Sequence, residues 1–191
     1  MEQQQGVRHF QEELEALKSR LLEMGGLAEE RVRASVEGLV SRDVALLDTV
    51  LAGDEPINRL HIDVDNRCFR LLALYQPMAT DLRAIVAAVK INSDLERVGD
   101  LAVNIAEAAT RYLGHAPVKQ LIDIPRMGTI AQTMLRDALD SFVRRDTDLA
   151  RTVLNSDDEL DGLKTQVFRE LLTYMLQAVE TIERRSVAIG W

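Results

Sequence analysis

The sequence has almost no cysteine and no segment built to enter a membrane. Cys68 is the one cysteine among 191 residues, so no disulfide can form within the chain, and the thiol is expected in the core. No apolar run approaches the about 18 to 20 residues of a membrane span. The N-terminus, MEQQQGVRHF, lacks the basic and apolar regions of a signal peptide. A cytoplasmic protein without direct membrane insertion is therefore predicted.

Basic residues are in the minority. The chain has 23 lysines and arginines against 31 aspartates and glutamates, which gives a net charge of −8. Nucleic acids and anionic membrane surfaces attract cationic proteins, so neither is expected as the main partner. A cation or a basic protein surface suits this charge better.

Catalytic motifs are also missing. Carboxylate-bridged diiron or dimanganese enzymes in helical bundles use Glu-x-x-His pairs, but no histidine of this chain follows a glutamate by three positions. The sequence has no phosphate-binding P-loop, and no serine or cysteine stands in a recognisable nucleophile motif. The sequence therefore predicts a protein that is not an enzyme.

An internal repeat is the strongest positive feature of the sequence. Residues 24–64 align without a gap to residues 127–167, and 14 of these 41 positions are identical. Gly25, for example, falls on Gly128, 103 positions later. A duplicated unit is expected to place equivalent residues in equivalent sites.

Helical periodicity covers nearly all of the chain, and no alternating strand pattern occurs. Apolar residues at 4-3 spacing along one long helix predict the seam of a left-handed bundle. Gly25-Gly26 predict a kink or a close helix contact, because glycine costs about 1 kcal/mol in a helix interior. The predicted helices are Val7–Val40, 44–52 capped by Asp43, a helix that ends at Tyr75 before Pro77, Ala79–Leu113, and 147–155 capped by Asp146; the seam positions are 84, 88, 91, 95, 98, 102, 105, 109 and 112.

Each repeat is predicted to be a three-helix unit, so the fold class is all-α with two tandem three-helix bundles. Residues 1–113 form the first repeat. The segment 114–126 contains two prolines and is predicted to be the linker. Residues 127–191 form the second repeat.

Two polar motifs are expected to meet at one end of the first repeat. Antiparallel helices that turn near residue 77 place Asp54 level with Asp100, and Asn58 level with Glu96. Within each helix the two residues lie one turn apart on one face. Three acids and an amide then converge, and their like charges invite a counter-ion.

Oxygen ligands without histidine or cysteine favour hard cations, so Mg²⁺, Ca²⁺ and Mn²⁺ are the first candidates and iron is a further one. A second interpretation needs no ion. Arg97 stands three residues from both Asp94 and Asp100 and would form exposed ion pairs with them. The residues alone leave both interpretations open.

Five segments carry motifs that are specific enough to compare with known families. They are RHFQEELEALKSRLLEMG (8–25), SRDVALLDTVLAGDEPIN (41–58), LALYQPMATDLRAI (72–85), LERVGDLAVNIAE (95–107) and RRDTDLARTVLNSDDELD (144–161). In these segments the chain resembles the PhoU family, the accessory regulators of bacterial phosphate uptake, and the resemblance extends over the whole chain.

The resemblance implies two three-helix bundles related by a pseudo-twofold axis, and a homodimer. It also implies that the protein holds the phosphate-starvation response off by linking the ATPase subunit of the phosphate ABC transporter to the sensor histidine kinase. Family members carry E(D)xxxD motifs that bind iron or other metals in some cases. These motifs correspond here to Glu96 and Asp100, to Asp54 and Asn58, where an amide replaces one acid, and in the second repeat to Asp157 and Asp161.

Two alternatives stay open, a metal-binding helical scaffold and a PhoU-like regulator of another ion transporter. The repeat shift places the counterparts of Glu96 and Asp100 at positions 199 and 203, beyond Trp191. The second bundle is therefore expected to lack most of its last helix. Truncation of the chain and donation of a helix by a partner chain would both account for this.

Overall fold

The computed structural model describes the backbone of residues 2–53, 55–115 and 120–188, and the side chains of residues 6, 8–53, 55–115 and 120–176. All regular structure in this part of the chain is α-helical, as the periodicity predicts, and none of its helices is long and apolar enough to cross a membrane. The helices are α1 (Glu2–Ser41), α2 (Val44–Ala52), α3 (Glu55–Tyr75), α4 (Ala79–Leu113), α5 (Asp123–Arg144) and α6 (Thr147–Ala188).

The first repeat is a bundle of α1, α3 and α4. Helix α1 supplies one stripe of its core at alternating spacings of three and four residues, the pattern of left-handed helix packing. Burial of each large apolar side chain contributes about 1.5 to 3 kcal/mol. The stripe consists of Leu14, Leu17, Leu21, Met24 and Ala28, none more than 2% exposed, and it packs with Ile57, Val64, Cys68 and Leu71 of α3 and Ile85, Ala88 and Leu95 of α4.

The short helix α2 closes a second, smaller core. Leu47 and Val50 are 0% and 2% exposed. They pack with three alanines of α1 and α4, whose small side chains let α2 approach closely. Gly38 of α1 also makes room, because a Cβ there would be 2.6 Å from a methyl group of Leu47.

Four of the nine predicted seam positions of α4 are wrong by one residue. The predicted residues Ala88, Leu95, Ala102 and Ala109 are buried, but the buried residues between them are Ile85, Asn92, Gly99 and Ala106 instead of positions 84, 91, 98 and 105. Ile91 and Val98 instead line a groove of about 160 Å³ towards α5. Hydropathy misplaces the seam because Asn92 and Gly99 are buried for reasons other than apolarity: one is hydrogen-bonded, and the other is small.

Helices α1 and α5 pack antiparallel through two reciprocal glycine contacts. A Cβ on Gly25 would collide with the side chain of Leu139, and a Cβ on Gly128 would be 3.0 Å from Cγ1 of Val36. Val36 and Leu139 are themselves 103 positions apart, so the two contacts are related by the repeat. A close helix contact thus explains Gly25, whereas the space around Gly26 is open.

The same arginine–aspartate pair connects one helix to the next in both repeats. The backbone at Arg42 and at Arg145 adopts the left-handed conformation, with φ of 59° and 56°. Asp43 then accepts a hydrogen bond from the amide three residues later at 3.1 Å, and Asp146 does the same at 3.0 Å. Both predicted N-caps are confirmed.

The predicted separate helix at 147–155 is wrong, because α6 continues without a break to Ala188. In the first repeat Gly53 and Pro56 separate α2 from α3. Proline has no amide hydrogen and its ring disrupts a helix interior. The counterparts of these residues are Ser156 and Glu159, which permit a continuous helix.

Part of the predicted linker is helical. Helix α5 starts at Asp123, inside the predicted linker 114–126. Pro125 therefore lies in the first turn of α5. A backbone amide there has no hydrogen-bond partner within the helix, so a proline removes nothing. Residues 116–119, with the predicted linker proline Pro117, lie outside the described residues.

Candidate functional site

The antiparallel register of α3 and α4 follows the prediction. A Cβ on Gly99 would be 3.0 Å from Cδ1 of Ile57, and Nδ2 of Asn92 donates to the backbone oxygen of His61 at 2.9 Å. The N-terminal turn of α3 therefore lies beside residues 96–100 of α4. The structure thus places Asn58, the described residue of the first motif, on a segment that neighbours the segment with Glu96 and Asp100.

The acids of this region differ in exposure. Glu96 is half-buried, while Asp100 and Asn58 are exposed. Within the described part of the chain, neither Glu96 nor Asp100 makes a hydrogen bond or an ion pair, and the alternative pairing of Arg97 with Asp100 is not formed. Asp54 lies outside the described residues.

Arg31 of α1 is the residue of this region that the sequence analysis did not single out. It is only 8% exposed. One of its guanidinium nitrogens lies 3.3 Å from the Cβ position of Gly53, and the other lies 3.8 Å from that of Gly99. The guanidinium group therefore lies against the backbone of Gly53 and Gly99. No sequence signal marked it, because arginines on helices are usually exposed.

The equivalent acids of the second repeat have a lysine beside them. Asp157 and Asp161 are exposed on α6. Lys164, one turn further on, donates to Asp161 at 2.8 Å. That hydrogen bond and the charge of Asp161, with a smaller effect of Asp157, raise the pKa of Lys164. This half-motif therefore has an ammonium partner of its own.

The chemistry of the donors suits a hard cation, but the described residues do not complete a site. Carboxylate and amide oxygens are the ligands that Mg²⁺ and Ca²⁺ prefer. Among the described side chains, those of residues 6, 8–53, 55–115 and 120–176, no three acidic, histidine or cysteine side chains converge into a group that could hold a metal ion. Metal binding by Glu96, Asp100, Asp54 and Asn58, or by Asp157 and Asp161, thus stays a prediction.

A polar cluster in the core of the first bundle also escaped the sequence analysis. The fully buried Asn92 donates to Asp65 at 2.9 Å as well as to His61. Cys68 is buried beside them, as predicted. Burial, aided by the charge of Asp65, raises the pKa of the Cys68 thiol to about 11, so this thiol is neutral and unreactive at pH 7. No sequence signal marked this cluster, because hydropathy places the seam of α4 at position 91 and not at Asn92.

The outer face of α3 carries exposed apolar side chains. Ile62 is 60% exposed and Phe69 is 65% exposed. They are seven residues apart and therefore lie on one side of the helix, with the exposed Ala73 one turn beyond Phe69. Exposed apolar patches on soluble proteins mark interaction sites. We name the three residues the α3 outer face.

Comparison with known proteins gives one consistent family. The family model described as the PhoU domain matches residues 21–109 and 124–189. A phosphate-specific transport system accessory protein PhoU homolog of Aquifex aeolicus is 42% identical over 172 residues, which cover 90% of this chain and 78% of the relative. The homolog of Caulobacter vibrioides NA1000 is 41% identical over 177 residues, 92% of this chain and 77% of the relative.

Solved structures agree with the sequence comparison. The crystal structure of PhoU from Pseudomonas aeruginosa matches with a TM-score of 0.84 at 38% identity, over 92% of this chain and 84% of that chain. The phosphate transport system regulatory protein PhoU from Streptococcus pneumoniae matches with a TM-score of 0.79 at 28% identity, over 88% and 79%. Both the sequence and the helical fold are thus shared over most of their length, and the chain belongs to the PhoU family.

Proposed function

We propose that this protein regulates phosphate transport as an adaptor that has no catalytic activity of its own. In this proposal it links the ATPase subunit of a phosphate ABC transporter to a sensor histidine kinase and keeps the phosphate-starvation response off when phosphate is plentiful. The relatives named as phosphate transport accessory or regulatory proteins support the role in phosphate transport. They favour it over regulation of another ion transporter.

The observation that carries the adaptor mechanism is the α3 outer face. A phenylalanine and an isoleucine that are each at least 60% exposed belong to neither of the two cores described for the first repeat. Their burial in a complex would release water from apolar surface and so favour binding. We assign this face to the transporter ATPase, since the relatives are named for the transport system.

A reporter of the phosphate-starvation response tests the role in cells. The chain would be expressed in a bacterium that lacks its own PhoU protein, with phosphate in excess. The wild type is expected to keep the reporter off, and Phe69→Ser is expected to leave it on at equal protein level. Arg111→Ala, an exposed change at the far end of α4, is the control and should behave as the wild type.

Two results would contradict the proposal in different ways. A folded wild-type protein that leaves the reporter on would overturn the regulatory role. Full repression by Phe69→Ser would leave that role intact but would remove the α3 outer face as the docking surface.

A further inference from the structure

Basic side chains form a line along the outer side of α4. Arg83, Lys90 and Arg97 are exposed and stand seven residues apart. Seven residues are close to two helical turns, so successive members lie about 10 Å apart on one side of the helix. The line ends there, because the next position of the series is an asparagine and Arg111 after it pairs with Glu107. We name the three residues the α4 basic stripe.

The α4 basic stripe makes no ion pair within the described part of the chain. The side chain of Arg83 donates to the hydroxyl of Thr80 at 3.3 Å. Asp94 stands one turn from both Lys90 and Arg97, but it pairs with neither and lines the groove towards α5. The basic side chains of α1 behave differently and pair with glutamates of their own helix: Arg8 with Glu12, Lys18 with Glu15, Arg20 with Glu23 and Arg33 with Glu30. The charges of the stripe are thus available to another molecule.

The stripe lies at the same height as the α3 outer face. The hydrogen bond from Asn92 to the backbone oxygen of His61 marks a level at which the two antiparallel helices meet. Counted from that level, Lys90 stands beside the turn of α3 that carries Ile62. Seven residues further along each helix, Arg83 stands beside the turn that carries Phe69. Neighbouring helix axes are about 8 to 10 Å apart, so one docked segment can reach both surfaces.

Apolar side chains also accompany the stripe on α4 itself. Val86 is one turn from both Arg83 and Lys90, and it is 44% exposed. Leu82, one turn before Val86, is 41% exposed. The complement of this surface is an amphipathic helix whose apolar side is bordered by aspartates or glutamates at seven-residue spacing. Such a helix pairs apolar surface with apolar surface and each cation with an anion.

The charge of the whole chain favours a helix over other anionic partners. Nucleic acids and anionic membranes present broad negative surfaces, which the net charge of −8 repels. An acidic helix presents its charges along one narrow line. It can therefore meet the stripe at short range, while salt screens its repulsion from the more distant acids of the chain.

We propose that the α4 basic stripe extends the α3 outer face into one docking surface, and that its occupant is an acidic amphipathic helix of the transporter ATPase. The proposal rests on the proposed function, which assigns the α3 outer face to that subunit. It adds the chemistry of the partner segment. It also gives a protein of net negative charge a local reason to bind an acidic partner.

Binding of the purified ATPase subunit tests the proposal, by biolayer interferometry at about 0.05 M and about 0.5 M NaCl. The variant is Arg83→Glu/Lys90→Glu, which reverses two exposed charges level with the α3 outer face. At low salt it is expected to bind at least about tenfold more weakly than the wild type. The difference should shrink at high salt, where exposed charges are screened. Circular dichroism would check that the variant remains folded.

Two controls match the variant. Arg83→Lys/Lys90→Arg keeps both charges and should bind as the wild type. Arg151→Glu/Arg169→Glu makes the same change in net charge at exposed positions of α6 and should also bind as the wild type. Amide exchange of the ATPase in the complex is expected to show protection of a helix with acidic residues at seven-residue spacing.

Four results would overturn the proposal and leave the proposed function intact. One is undiminished binding by Arg83→Glu/Lys90→Glu while Phe69→Ser still binds weakly. Another is equal weakening by the α6 control, which would make net charge the cause. The third is protection of a loop or a basic segment of the ATPase. The fourth is binding of the wild type, but not of the variant, to vesicles of phosphatidylcholine and phosphatidylserine with unchanged ATPase binding, which would assign the stripe to a membrane.

A folded wild type that does not bind the ATPase at either salt concentration is a different failure. That result would contradict the assignment of the α3 outer face to the ATPase, and the extended docking surface would fall with it.

Discussion

The two repeats share residues at many positions but bury them to different extents. Val64 of α3 is fully buried, whereas its identical counterpart Val167 of α6 is half-exposed. Leu71 is 1% exposed, and its counterpart Tyr174 is 43% exposed. In the first repeat α3 packs against both α1 and α4, while the described part of α6 packs against α5 alone. The number of neighbouring helices, and not the residue type, decides how much each position stabilises the fold.

The repeats also differ in how their helices are interrupted. Gly53 and Pro56 divide the first repeat into a short α2 and a separate α3, so that α2 can fold back and close a second core. The second repeat has Ser156 and Glu159 at these positions, and α6 continues through them without a break. The first repeat therefore has a helix break at a place where the second repeat has none.

A proline at position 159 should interrupt α6 as Pro56 interrupts the first repeat. Of the changes considered, it should lower the stability of the protein most. Glu159→Pro copies Pro56 into the interior of α6, where it removes a backbone hydrogen bond and costs about 3 kcal/mol of helix stability. The expected result is a loss of helical circular dichroism and faster amide exchange around residues 155–159. Glu159→Ala, which loses only the exposed ion pair with Arg126, is the control. Unchanged exchange in the proline variant would mean that α6 is not a continuous helix.

The reciprocal contact between the repeats is expected to be nearly as sensitive. Gly25→Val would force its side chain into Leu139, and overpacking of this kind costs about 1 to 3 kcal/mol. Gly26→Val, one position later, faces open space and should be neutral or slightly stabilising. Urea unfolding would measure both. An equal loss of stability in the two variants would contradict the close packing of α1 on α5.

Truncation of the two equivalent valines compares the burial of α3 and α6 directly. It has the smallest expected effect on stability. Val64→Ala should destabilise the protein by about 1.5 kcal/mol, because two buried methyl groups are lost. Val167→Ala should cost less than half as much, since its side chain already contacts water. Thermal unfolding of the two variants measures the difference. Equal shifts would show that α6 is covered as fully as α3.

Much of the fold could be predicted from local signals. The bounds of α2 and α4 follow from the caps and from Pro77, and the structure confirms them at Val44–Ala52 and Ala79–Leu113. The continuity of α6 was readable as well, from the replacement of Gly53 by Ser156. The prediction of a separate helix at 147–155 treats the repeat as a copy of structure as well as of sequence.

The candidate site was less predictable because its buried members are polar or small. Asn92 enters the seam of α4 because its amide donates to His61 and Asp65, and both partners lie on another helix. Arg31 is buried because Gly53 and Gly99 leave room for it. Such reasons involve residues far apart in sequence, so hydropathy and spacing do not reveal them.

Direct binding to the transporter ATPase subunit tests the central claim, that the first repeat provides the docking surface. Its apolar pair Ile62 and Phe69 corresponds to Thr165 and Leu172, so the second repeat does not copy it. We expect the wild type and Leu172→Ser to bind the purified ATPase equally, and Phe69→Ser to bind at least about tenfold more weakly, a loss of about 1.4 kcal/mol. Absence of binding by the wild type, or equal weakening by the two variants, would contradict the account.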